Sequence, residues 1–146
     1  MPYTLILFVS RKPGLSPSAF KHHWETTYIP LLKSLVGHDF PLSYTRHYID
    51  RDSNAEHPDS NSSLANIFIG KQEDFLFDAI AVFTFANKPH WERFLVKVKQ
   101  PDAAMKLTED DDKFQDYERL KGVFVGDTRS TGRDGGEVGW RFVGSF

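Results

Sequence analysis

The stretch "FKHHWETTYIP", which begins at Phe20, holds two histidines, a tryptophan and a tyrosine, and closes on a proline. Histidine titrates near neutral pH and suits proton transfer. On a helix, residues four apart share a side, so His23 lies with Thr27 and Trp24 with Tyr28. His22 faces away with Lys21 and Glu25, toward solvent. Two readings stand. Trp24 is core and His23 a partly buried, hydrogen-bonded histidine, or His23, Trp24 and Tyr28 overhang a pocket.

A second polar group is "RHY" at 46–48. Side chains alternate along a strand, so Arg46 sides with Tyr44 and Tyr48, and His47 takes the opposite face. A register slip of one residue would exchange Arg46 and His47. A buried arginine must be paired. Asp78 is one partner on offer for Arg46, at an interface between two subunits. The functional alternative has Arg46 or His47 binding a substrate carboxylate or phenolate, with Asp78 orienting a histidine. His90 follows a proline at a helix start and is expected to be exposed, and His38 and His57 fall in loops.

No metal is expected. The six histidines include no His-x-x-x-His pair, and adjacent His22 and His23 point apart. "EDDD" at 109–112 lacks the glycine and ligand spacing of a calcium loop and reads as the acidic start of a helix. No phosphate-binding glycine loop is present, so no nucleotide cofactor is expected. The net charge of −2 shows no basic stripe, which argues against nucleic acid as a partner. The chain has no cysteine, which excludes disulfides and fits a cytoplasmic home. The apolar run at the N-terminus is too short to span a bilayer, so no membrane association is expected.

The elements that must position these residues follow from the hydrophobic pattern. Length suits one domain with a sizeable core (146 residues). Residues 3–10 are almost continuously apolar, as in a strand buried on both faces. Ser16 and Pro17 are a cap and a first helical residue. Pro30 inside the same pattern predicts a kink near Thr26. Strands follow at 42–49 and 77–85, then a helix capped by Asn87 and stopped by Pro101. One or two short helices precede the last strand, "LKGVFVGDT". The polar segment 50–66 reads as a mobile loop able to act as a lid, and 67–75 as a short flap. The order is that of an α+β, ferredoxin-like, four-stranded antiparallel sheet with helices on one face. Its other face calls for a cover, which a symmetric homodimer supplies.

"RKPGLSPSAFKHHWETTYIPLL", "SYTRHYI", "FDAIAVFTF" and "EDDDKFQDY", in that order, resemble EthD-type members of the dimeric α/β-barrel superfamily, fungal ones in particular. The resemblance spans about 3–128, which sets a domain of 1–128 and a C-terminal tail of 129–146. It implies a dimeric barrel and a chemistry drawn from a varied superfamily: cofactor-free monooxygenases, muconolactone isomerases, polyketide cyclases and haem enzymes. Fungal relatives accompany aromatic polyketide synthesis, and some are thought to decarboxylate anthracene-type acids. The family helix usually carries a histidine between its tryptophan and its proline. Tyr28 stands at the matching position here.

The resulting expectation is a cofactor-independent, lyase-type enzyme that decarboxylates, dehydrates or cyclises an aromatic or polyketide-derived small molecule. His23, His47, Tyr28 and Asp78 form its expected proton-transfer set. Phe8, Trp24, Tyr44, Arg46, Phe83 and Phe85 form its expected aromatic pocket. The rivals are a cofactor-free anthrone-type monooxygenase and a non-catalytic dimeric binding protein for aromatic metabolites.

Overall fold

A computed structural model describes residues 2–52 and 63–136. Strands β1 (Tyr3–Val9), β2 (Ser43–Tyr48), β3 (Ala79–Phe85) and β4 (Lys121–Phe124) form one antiparallel sheet in the order β2-β3-β1-β4. Helices α1 (Pro17–His23), α2 (Ile29–Val36), α3 (Lys88–Val98) and α4 (Pro101–Phe114) accompany it. This is the ferredoxin-like α+β arrangement, with the helices packed on one face of the sheet.

The period of two decides which residues meet the helices. Leu5 and Val9 of β1 and Ala79, Ala81, Phe83 and Phe85 of β3 are buried. They meet Phe20, Trp24, Leu32, Val36, Phe94, Leu107 and Phe114 in one core. Each such large side chain contributes roughly 1.5–3 kcal/mol. Among the described residues the opposite face is left open: Ser43, Thr45 and His47 are exposed, and Ile6, Phe8, Ile80 and Val82 only partly covered.

Ser16 Oγ accepts from the Ala19 N–H at 3.1 Å, with Pro17 in the first turn. The kink expected near Thr26 is a π turn, Trp24–Tyr28, in which the Ile29 N–H reaches back to Trp24 O. Pro30 has no N–H to give to the carbonyl of Thr26, and its ring would crowd that carbonyl, so a wider turn resolves both problems.

Several expectations are corrected. Pro101 does not merely stop α3; it sits in the first turn of α4, one continuous helix rather than short pieces. The acids 109–112 therefore lie in the last two turns of α4 instead of at an N-terminus. His90 is buried: its Nδ1 accepts from the Ala86 N–H at 3.0 Å, and its Nε2 lies 3.1 Å from the carbonyls of Asp39 and Phe40. The segment 67–75 contains only a single 3₁₀ turn, Gln72–Asp74.

The expected lid falls partly outside the described residues, but its base is well defined. Asp52 N–H donates to Leu64 O at 2.9 Å and Asn66 N–H to Asp50 O at 2.8 Å. Arg51, between them, donates to the carbonyls of Ser63, Phe75 and Phe77. Its Nε stands 2.8 Å from Asp78 Oδ1, and Arg11 Nε binds the same oxygen at 2.9 Å. Of the tail at 129–146, only residues up to 136 are described.

Candidate active site

The helices and the sheet do not close completely on each other. A cavity of about 390 Å³ remains between them, within the range of small-molecule sites, roughly 300–1,000 Å³. Leu5, Leu7, Tyr44 and Phe83 line it from the sheet. Trp24 and Tyr28 come from the π turn, Trp91 and Phe94 from α3, and Leu107, Asp111 and Phe114 from α4. Gln115, just past α4, completes the polar corner.

The π turn explains how Trp24 and Tyr28 reach the cavity together. Widening the turn brings residues four apart closer to alignment, so both rings face the same space. Trp24 Nε1 donates to the Tyr44 hydroxyl at 3.1 Å, and the Tyr44 ring lies 4.1 Å from Phe83. These contacts fix two aromatic walls. Burial raises the pKa of Tyr44, opposed in part by the Trp24 hydrogen bond. Burial also raises that of Tyr28, reinforced by the nearby charge of Asp111. Both side chains are therefore phenols, able to donate, at neutral pH.

Asp111 is the one carboxylate in this lining. Its pKa is pushed up to about 7, first by burial, with a hydrogen bond from Gln115 opposing and the neighbouring Asp110 and Asp112 adding to the rise; a hydrogen bond from Tyr28 lowers it again. Its place in the last turn of α4 acts in the same direction, because the negative end of a helix disfavours a carboxylate. Gln115 Nε2 donates to Asp111 Oδ1 at 2.7 Å. An acid poised near neutrality in an apolar cavity can both give and take a proton.

Of the residues singled out from sequence, Trp24, Tyr28, Tyr44 and Phe83 line the cavity. Phe85 is fully buried beside it, in contact with Phe83. Phe8 points to the other face of the sheet, against Phe77. His23 is not in the lining. Its ring stacks on wall residue Phe114 at 5.0 Å, and its Nε2 meets Asp110 Oδ1 at 3.0 Å. His47 is exposed on the open face of the sheet, so the two histidines are not brought together. Arg46 does not pair with Asp78. It forms a two-pronged bond with Glu25, Nε to Oε2 at 2.6 Å and Nη2 to Oε1 at 2.8 Å, and Tyr48 donates to the same carboxylate. Glu25, read as solvent-facing, is thus the anchor of β2 to the π turn. Asp78 is held by Arg11 and Arg51.

Asp111 and Gln115 escaped the sequence reading. The signal was available: Ala103, Leu107, Asp111 and Phe114 recur at helical spacing, so Asp111 interrupts an apolar stripe. Among the described residues no group of three histidine, aspartate or glutamate side chains is arranged to hold a metal ion, and no helix is long and apolar enough to cross a membrane.

No curated protein matches the chain. The fold is similar to the crystal structure of an ethyl tert-butyl ether D (EthD) family protein from Bacillus halodurans C-125, with a TM-score of 0.51 and 14% identity over 88% of this chain and 100% of that one. The EthD domain model matches residues 12–118, a span that holds the π turn, β2, β3 and the whole of α4, and the chain belongs to the EthD domain family.

Proposed function

We propose that the protein is a cofactor-independent lyase of the decarboxylase, dehydratase or cyclase type, acting on an aromatic or polyketide-derived small molecule. The observation that carries this reading is Asp111: a buried carboxyl group, its pKa pushed up to about 7, in a cavity lined mainly by aromatic and aliphatic side chains. Flat rings stack on Trp24, Tyr44 and Phe83, and Asp111 works on whatever carbon or oxygen the stacked ring presents.

Decarboxylation is the simplest case. Protonated Asp111 delivers its proton to the ring carbon that bears the carboxylate. The carbon–carbon bond then breaks, its electron pair returns to the ring, and carbon dioxide leaves. A proton from solvent recharges Asp111. The Tyr28 phenol donates a hydrogen bond where oxyanion charge develops on the ring. In dehydration Asp111 takes a proton from the carbon beside a carbonyl, Tyr28 donates to the enolate oxygen, and Asp111 returns the proton to the hydroxyl, which leaves as water while the carbon–carbon double bond forms. In ring closure the enolate carbon bonds a second carbonyl carbon, whose oxygen takes the proton from Asp111. Tyr28 thereby serves at the position where the family resemblance implies a histidine.

The expected assembly is a homodimer that covers the open face of the sheet, where Ile6, Phe8, Ile80 and Val82 are only partly buried.

The test is incubation of the purified protein with hydroxylated anthracene carboxylic acids while carbon dioxide release and oxygen uptake are followed. Carbon dioxide without oxygen uptake, abolished in Asp111→Asn, is the expected result. Oxygen uptake would favour a monooxygenase. Saturable binding with neither product would favour a binding protein.

A further inference from the structure

The polar corner of the cavity is asymmetric. Gln115 is buried, and its amide nitrogen is committed to Asp111 Oδ1 at 2.7 Å. When Asp111 is ionised, that bond fixes which way round the amide lies, since a carboxylate accepts only from the nitrogen. The amide oxygen is therefore the free end. Oε1 is buried and accepts no hydrogen bond among the described residues. A buried acceptor without a donor costs roughly 1–3 kcal/mol, and native proteins leave few of them. The backbone gives no relief: the Gln115 N–H is already spent on Asp111 O at 2.9 Å, within the same short segment.

Leu107, Phe114 and Leu120 carry no donor, and none of the donors on Tyr28, Lys99, Thr108 and Tyr117 is bonded to Oε1. A donor carried in by a ligand is a group able to satisfy Oε1 while the Gln115–Asp111 bond stays in place.

We infer that Gln115 is the specificity-determining residue of this cavity, its Oε1 accepting a hydrogen bond from an O–H or N–H group on the rim of a flat aromatic ligand. The inference rests on the reading of this cavity as an aromatic small-molecule site. It adds that ring size alone does not select the ligand. A ring with a phenolic or amino hydrogen at its edge docks with that edge at Gln115, beside Asp111. An analogue with the hydrogen methylated leaves Oε1 buried and unpaired, and is rejected.

Paired probes test it. 2-Naphthol and 2-methoxynaphthalene have the same ring and differ in the donor. Their binding is followed by quenching of the fluorescence of Trp24 and Trp91, both in the cavity wall. The wild type is expected to bind 2-naphthol about 10-fold more tightly, the worth of one neutral hydrogen bond. In Gln115→Met, which keeps length and loses the acceptor, the two probes are expected to bind equally. Equal binding in the wild type overturns the inference and leaves the aromatic-site reading standing. Binding of neither probe overturns that reading as well. A preference that survives Gln115→Met but vanishes in Asp111→Asn assigns the acceptor to Asp111 and overturns the role of Gln115. The wild-type comparison needs no variant, so a Gln115→Met protein that fails to fold does not remove the test.

Discussion

Gln115 is bonded to Asp111 twice: its backbone N–H reaches the Asp111 carbonyl at 2.9 Å and its amide nitrogen reaches the Asp111 carboxylate at 2.7 Å. The last turn of α4 is therefore closed by the residue that also sets the electrostatics of the cavity. Loss of the amide removes a bond to the charged form, so Asp111 should titrate higher still in Gln115→Met. Carboxyl-carbon NMR of Asp111 across pH 5–9 measures the rise.

Asp111 itself should weaken the fold in a pH-dependent way. Its folded pKa of about 7 lies above its unfolded value, so its contribution is most favourable below the unfolded pKa. Stability is lost as pH rises from there through about 7, by up to about 4 kcal/mol at 1.36 kcal/mol per unit. Asp111→Asn should match the wild type near pH 4 and exceed it by a few kcal/mol at pH 8, while losing roughly 10²- to 10⁴-fold in turnover. Urea midpoints at the two pH values decide the first part. No gain at pH 8 would show that Asp111 ionises freely.

Tyr28 acts on the same group. Tyr28→Phe removes a donor to the Asp111 carboxylate, so the pH profile of turnover should move upward and its maximum fall about 10-fold. An unmoved profile would separate Tyr28 from the acid.

His23 should be a matter of stability. Its partner Asp110 is buried, and the second carboxylate oxygen has no hydrogen bond among the described residues. His23→Ala would leave Asp110 buried without its hydrogen-bond partner, at a cost of about 1–3 kcal/mol. Activity per folded molecule should stay near wild type. A fall of 10²-fold or more with an unchanged melting temperature would instead make His23 the acid or base.

The open face of the sheet should be covered by a second copy. Val82, opposite Ile6 and Thr45 in the ladder, sits centrally on it. Val82→Asp should sediment as a monomer at micromolar concentration while the wild type sediments as a dimer. A monomeric wild type would remove the homodimer from consideration.

Much of this was legible in the chain because local rules act there without competition. Ser16 and Pro17 cap a helix wherever they stand before one, and Pro30 must disturb any helix that contains it. Strand parity alone separates Tyr44, Arg46 and Tyr48 from His47, and the alternating burial of β2 shows the same separation. What parity could not convey is which face encloses a cavity. His47 and Phe8, whose residue types suit a pocket, therefore lie on the open side. Asp111 was hidden for a different reason. An acidic run reads as solvated, and only the phase of α4 shows that its third member falls on the apolar stripe. Arg46 and Asp78 are unlike charges whose true partners, Glu25 and Arg11 with Arg51, lie far off in sequence, where spacing carries no information.

The base of the segment after β2 has a bearing on how such chains diverge. Asp52 and Leu64 are clasped backbone to backbone, and Arg51 ties the same stem to Ser63, Phe75 and Phe77. With both ends of the connection pinned by the domain, its length is nearly independent of the fold, since each doubling of a closed loop adds only about 0.6 kcal/mol of entropy. Insertions, deletions or a grafted peptide between residues 52 and 64 can accumulate there while the sheet, the helices and the cavity keep their geometry. That makes the position a natural socket for new recognition elements, in evolution or by design.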